Sequence, residues 1–453
     1  MDTGETVMNN SKLWAVALAL LGLTACDDGS SPGTASLRVI HLSPDAPAVD
    51  VYVDGAAAIT DLAYKESTEF LAVEAGSADL AVRAAGMPSS TPVIAANGVA
   101  LADGESYTVV AYDNLANIMP MVLEDDRTGI PAGQIRVRAI HAAAGVGTVD
   151  LWNIPASGAP TKIADDLAFG AATGFLDLPA AAYTIGVDVN NDAVPDLQFA
   201  TPPLAAGTYA NVFAVKDSTG VKLVAQLESG ATATIAPLAA KVRVAHLSPN
   251  APAVDVWVDS GTAAAFTNLA FQSGTAAADL EAGPHSFYVR ANPSTSSSAN
   301  VITVSDLPLV SGFRYTAAAY GLLGNGTTPI TALALRDDAI GLASGSIRVN
   351  VAHTAAGVGQ VDVWNVTPGS AASPLVTDLD YGEVAPSLDI PAGQYRVGID
   401  VNNDATPDLT FQLPSLAAGT VANVFPVKNG SAVYLLVQLD STTGALAKID
   451  PLP

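Results

Sequence analysis

Residues 38–55 read RVIHLSPDAPAVDVYVDG, and residues 243–260 read RVAHLSPNAPAVDVWVDS, with four letters changed in eighteen. Within the first copy, VDVYVD sends Val49, Val51 and Val53 to one side of an extended chain and Asp50, Tyr52 and Asp54 to the other. Side chains alternate along a strand with period two, so the pattern predicts a strand with one buried face. Runs of this kind recur every ten to fifteen residues, broken by Gly, Pro, Asn and Ser, and no helical period is sustained. About seven such strands per ~100 residues predict an all-β fold: antiparallel sandwiches of the immunoglobulin-like kind.

Two weaker relatives, RAIHAAAGVGTVDLWN from Arg138 and NVAHTAAGVGQVDVWN from Asn350, bring the copies to four. Their histidines, His41, His141, His246 and His353, are spaced by 100, 105 and 107 residues. Nine residues after each comes an aspartate (Asp50, Asp150, Asp255, Asp362), and two further on an aromatic (Tyr52, Trp152, Trp257, Trp364). A short block follows in every copy: DLAY at Asp61, DLAF at Asp166, NLAF at Asn268 and DLDY at Asp378. The first and third copies match best, as do the second and fourth, which points to duplication of a two-module unit of about 205 residues. The reading is four tandem modules, 37–130, 131–237, 238–342 and 343–453, standing end to end.

The signature RVIHLSPDAPAVDVYVDG, followed by the LAY block and a turn into a Val-rich strand, resembles the bacterial family known as domain of unknown function 4397. Modules 1 and 3 carry the signature almost whole, while modules 2 and 4 keep the His, the Val-Asp pair and the aromatic. The resemblance implies an extracytoplasmic sandwich and brings no activity with it.

The N-terminus bears on location. KLWAVALALLGLTAC places an apolar run, Leu13 to Ala25, before Cys26. Thirteen residues are too few for a membrane-spanning helix, which takes ~20, and fit the core of a signal peptide over residues 1–25. The ending LTAC resembles the bacterial lipobox, so Cys26 is the expected lipidation site and the anchor to the membrane of a bacterial cell envelope, with the inner or outer membrane left open. Cys26 is also the single cysteine of the chain, so no disulfide forms within it. Asp2 and Glu5 sit where signal peptides favour positive charge, which makes Met8 the expected start. Residues 26–36 read as a polar tether. The net charge of −25, spread along the chain, disfavours nucleic acid as a partner.

Three sets of residues are candidates for a site. Each repeated histidine ends a core-facing row, such as Leu37, Val39 and His41, with arginine or asparagine on the reverse. A buried imidazole there needs hydrogen-bond partners, most simply carbonyls of the following loop. A catalytic His–Asp pair is the rival, but Asp50 alternates away from the valines, and Ser43 and Ser248 become Ala143 and Ala355 in the other modules. No enzyme is expected. The aromatics Tyr52, Trp152, Trp257 and Trp364 fall on an outer sheet face, either packed against a loop or serving as stacking platforms for sugar rings. Finally, DVNNDAVPDL at Asp188 and DVNNDATPDL at Asp400 place oxygens at positions one, three, five and nine: Asp188, Asn190, Asp192, Asp196 and Asp400, Asn402, Asp404, Asp408. That is the donor type and spacing of a calcium (Ca2+) loop, although Ala193 and Ala405 replace the turn glycine of an EF-hand. A turn whose Asn and Asp bond the local backbone is the other reading. The sequence therefore predicts a lipid-anchored structural, adhesive or protein-interaction protein. The alternative is a lipoprotein that captures a glycan or small molecule, with calcium support.

Overall fold

The computed structural model of the chain describes residues 33–440 and 442–453; the expected signal peptide, Met8 and Cys26 lie outside them. Module 1 consists of β1 (Thr34–His41), β2 (Val49–Val53), β3 (Ala56–Leu62), β4 (Leu71–Glu74), β5 (Gly76–Ala84), β6 (Ile94–Leu101), β7 (Ser106–Tyr112) and β8 (Met119–Glu124). These make two sheets, ordered β4-β1-β7-β8 and β3-β2-β5-β6. The first strand begins at Thr34, inside the stretch read as tether. The other modules repeat both sheets, and modules 2 and 4 add a fifth strand to the first sheet, Thr232–Ile235 and Leu446–Ile449.

The described residues are thus all-β, with a two-sheet sandwich repeated four times. One strand pair per module departs from the antiparallel expectation: β1 runs parallel to β7, with Val39 opposite Val109, and the equivalents do the same. The connectivity also differs from the A-B-E-D over C-F-G order of an immunoglobulin constant domain. Among the described residues no helix is long and apolar enough to cross a membrane.

Each module has its own core; in module 1 it includes Leu37, Val39, Val49, Val51, Val82 and Val109. The modules do not simply stand end to end, however. The reverse face of the β1–β7 sheet is apolar too: Ile40, Leu42, Val110 and Tyr112 pack against Ile140, Phe213, Val215 and Val224 of module 2. Modules 3 and 4 meet likewise, Ala245, Leu247 and Tyr320 against Phe425, Val427 and Leu436. The cause lies in strands such as Ser106–Tyr112, buried at all seven positions. A strand covered on both faces is apolar continuously rather than alternately.

The two pairs also touch. Ser311 Oγ accepts the Gln198 N–H at 3.1 Å, Leu238 N–H donates to Gln198 O at 2.7 Å, and Gly158 N–H donates to Leu342 O at 3.0 Å.

Candidate functional site

The repeated histidines are held identically. His41 is fully buried, its Nδ1 accepting the Ser43 N–H at 3.4 Å while Nε2 faces Pro47 O at 3.1 Å. A ring nitrogen that accepts leaves the other to carry the proton, so the Nε2–H donates to the carbonyl. The same two bonds recur with Gly147 O (2.8 Å), Pro252 O (3.0 Å) and Gly359 O (2.8 Å) for His141, His246 and His353. Each ring meets an aromatic of the LAY block edge-on: Tyr64, Phe169, Phe271 or Tyr381. Burial holds all four imidazoles below their ordinary pKa of 6.5, against the weaker upward pull of the carbonyl. Ser43 and Ser248 are buried as well.

The repeated aspartates clamp a bulge. Asp50 alternates outward, yet it is 6% exposed because β3 folds back over it. Its Oδ1 accepts the Asp61 N–H and its Oδ2 the Gly86 N–H, both at 2.9 Å. Asp61 has a φ of 59°, and the β2–β3 register slips between Val49 and Val51. Asp150, Asp255 and Asp362 accept the N–H of Asp166, Asn268 and Asp378, all likewise at positive φ. A carboxylate beside a backbone held in the left-handed region stabilises a conformation that otherwise costs ~1–3 kcal/mol. Histidine and aspartate are thus both engaged in local architecture.

The outer-face aromatics differ among themselves. Trp257 is buried, with the Arg290 guanidinium 4.9 Å over its ring and its indole N–H donated to Ser294 Oγ at 2.9 Å, at the wall of an open cleft of about 530 Å3 that Asp259, Tyr288 and Arg290 also line. Tyr52 and Trp152 are half-buried under Arg83 and Lys162, at 5.5 and 5.2 Å. Trp364 is half-buried, and the indole nitrogens of Trp152 and Trp364 are buried without a partner.

In the loops at 188–196 and 400–408 the acidic residues serve the turn. Asp188 accepts the N–H groups of Asn190, Asn191 and Ala193, and Asp196 accepts that of Val189. Asn190 and Asp192 each accept the N–H two residues on. Asp400, Asn402, Asp404 and Asp408 accept in the same way from Asn402, Asn403, Asp404, Thr406 and Val401, but the bond that Ala193 gives Asp188 is missing, and Asp400 Oδ2 is buried without a partner. Burial, then Asp188 and Asp192, push the Asp196 carboxyl up. Among the described residues no group of three or more His, Cys, Asp or Glu is arranged to hold a metal ion.

Sequence reasoning missed the polar centre of each pair interface. Asp125, just past β8, receives Arg138 Nη2 and Tyr209 OH on Oδ1 at 2.8 and 2.7 Å. Its Oδ2 takes the Thr108 hydroxyl and lies 3.2 Å from Arg38 Nη2, in ion-pair range but off the hydrogen-bonding direction. Arg38 also donates to Leu227 O of module 2 at 2.7 Å. In the second pair Asp337 gathers Arg243, Arg314, Thr316 and Asn423. The available signal was a charged pair closing an apolar strand, Asp125-Asp126 and again Asp337-Asp338.

The family model described as Domain of unknown function (DUF4397) matches residues 35–152 and 240–364, more than half of the chain. Each match opens in the first strand of an odd module and ends at the tryptophan of the next. No curated protein matches the chain. Two solved structures are distantly similar. One, of alpha-glucan binding by a streptococcal virulence factor, is 13% identical over 43% of this chain and 95% of its own, with a TM-score of 0.16. The other, the Bacillus anthracis TIE protein, is 9% identical over 88% of this chain and 68% of its own, also with a TM-score of 0.16. Likenesses this slight carry no argument about function.

Proposed function

Because the chain belongs to the family described as domain of unknown function DUF4397, a description that names no activity, we propose that it is a non-catalytic structural or protein-interaction protein of the bacterial cell envelope. Lipid chains on Cys26 hold it extracytoplasmically, and the paired sandwiches present rigid surface to a partner protein. One observation carries the non-catalytic reading: in all four modules the recurring histidine and aspartate are buried and engaged in loop and bulge hydrogen bonds. A general base must reach the proton that it abstracts, and these imidazoles are closed off from solvent. Cys26 supports the anchor by its place after an apolar run of signal-peptide length.

Two experiments test the reading. Cells fed an alkyne-tagged fatty acid are expected to label the intact protein and not its Cys26→Ser variant, which moves to the soluble fraction; equal labelling of both removes the anchor. His41→Asn together with His246→Asn is expected to lower stability and abolish no turnover. A hydrolysis lost from that variant while it remains folded overturns the non-catalytic assignment.

A further inference from the structure

We propose that module 2 contains a binding site for a small apolar molecule, entered past Tyr183 from the cleft between modules 2 and 3. Between the two sheets of module 2 lies a cavity of about 100 Å3, with Ile135, Leu151, Ile163, Leu178 and Ile185 in its wall. Module 4 has the same strands, yet the corresponding space there is about 30 Å3. Of the wall positions that the two spaces share, eight differ: two exchange Leu and Ile, Leu151 and Ile185 stand where module 4 has the smaller Val363 and Val397, and Val187 where it has the larger Ile399. The other three open space in module 2. Ala139, Thr201 and Ala214 of module 2 stand where module 4 has Val351, Leu413 and Pro426. The missing methyl and methylene groups leave their neighbours without contacts on one side, which a guest of matching shape restores. An apolar cavity of roughly 150 Å3 stays dry and takes up benzene or xenon, and this one is of the same order. Arg138 also borders it, but its guanidinium is directed to Asp125 and Asn211 at the pair interface. The wall is aliphatic, so the fitting guest is an uncharged small ring or a short hydrocarbon chain.

Access distinguishes module 2 further. Tyr183 lines the cavity and also an open cleft of about 520 Å3 that is bounded by Ile154, Pro155, Leu238, Gly312 and Ile340. Its hydroxyl donates to Pro179 O at 2.6 Å, while its backbone is tied to Thr201 through Oγ1 at 2.9 Å and N–H at 2.8 Å, so the ring stands between cleft and interior on a fixed backbone. Module 3 has a cavity of about 110 Å3, but none of its lining residues borders that cleft. Size and entrance come together in module 2.

The test is a titration of the intact chain with benzene, followed through the methyl signals of Ile135, Ile163, Leu178 and Ile185 by NMR. Saturable shifts are expected, and Ala139→Val with Thr201→Leu, which installs the module 4 side chains, should weaken binding by about tenfold or more. Ala139→Val alone keeps both Tyr183–Thr201 hydrogen bonds and should weaken binding partially if the double variant is poorly folded. Absence of saturable shifts overturns the proposal. So do shifts undiminished in the filled variants, or shifts confined to module 3 methyls such as Val254 and Val289.

Discussion

Mild acid should unfold this protein through its four repeated histidines. Each ring is at most 1% exposed, bonded at both nitrogens and held below its ordinary pKa of 6.5 by burial. The unfolded chain takes up protons near 6.5 and the folded chain does so only at lower pH. Stability is therefore complete above 6.5 and falls as the pH drops below it. A ring that stays neutral in the fold forfeits about 1.4 kcal/mol for each pH unit below its unfolded value. Four such rings set a ceiling of roughly 5 to 6 kcal/mol lost at about pH 5.5, against typical total stabilities of about 5–15 kcal/mol. Carboxylates titrate mostly lower, near pH 4, where relief of the −25 net charge acts in the opposite direction, so the window from about pH 7.5 to 5.5 isolates the histidines. Urea melts at several pH values in that window supply the slope, and the ring Hε1 shifts report protonation of the folded state directly. A flat stability, or rings that titrate near 6.5 while the protein remains folded, would refute the reasoning.

Asp50→Ala strands the N–H groups of Asp61 and Gly86 and should cost about 3 kcal/mol by urea melt, with Asp50→Asn costing less because one bond survives. Asp125→Ala leaves Arg38 and Arg138 buried without their carboxylate, so a loss of about 3–5 kcal/mol is expected, with hydrogen exchange rising in modules 1 and 2 and unchanged in 3 and 4. Gly230 has a φ of +80° and a Cβ there would lie 2.4 Å from Thr68 O, so Gly230→Ala should lift the 227–235 hairpin off module 1 and raise its exchange. Asp188→Asn should lower the melting temperature equally with calcium and with chelator, since Asp188 serves three backbone N–H groups; a calcium-dependent difference would restore the metal reading.

The strands were legible because period two survives in stretches such as VDVYV, and the histidines because row parity placed them against the loop that follows. What sequence reading lost has a common physical cause: contacts made on the second face of a strand. In YTVVAY only Thr108 interrupts the apolar run, which signals burial on both sides but does not say what covers the outer one. Arg38 was correctly placed on the reverse of β1, yet nothing local reveals that a second module closes over it until it is fully buried. Asp50 alternates outward as expected, and only the bulge at Asp61 hides it. The Asp-rich loops were ambiguous for a different reason: carboxylates spaced for a cation are also spaced to accept the N–H groups of a tight turn, and the choice depends on backbone φ at Asn191 and Ala193, 61° and 66°.

The pair is the structural unit that the chain repeats, and the polar centres show why. Around Asp125 the two guanidiniums come from Arg38 and Arg138, one from each module. In the second pair Asn350 occupies the place of Arg138 and bonds Asn423 instead, while Arg314 of module 3 supplies the second guanidinium to Asp337. Two cations on one buried carboxylate are thus kept by different residues, as expected where an uncompensated charge is more costly than a rearranged one. The consequence reaches function. Since the β4-β1-β7-β8 faces and their equivalents are closed within pairs, the sheet faces left for a partner are those of β3-β2-β5-β6 and its copies. These carry the half-buried Tyr52 under Arg83, Trp152 under Lys162, and Trp364, so the partner proposed above would meet a surface differing from module to module, although the scaffold beneath is the same.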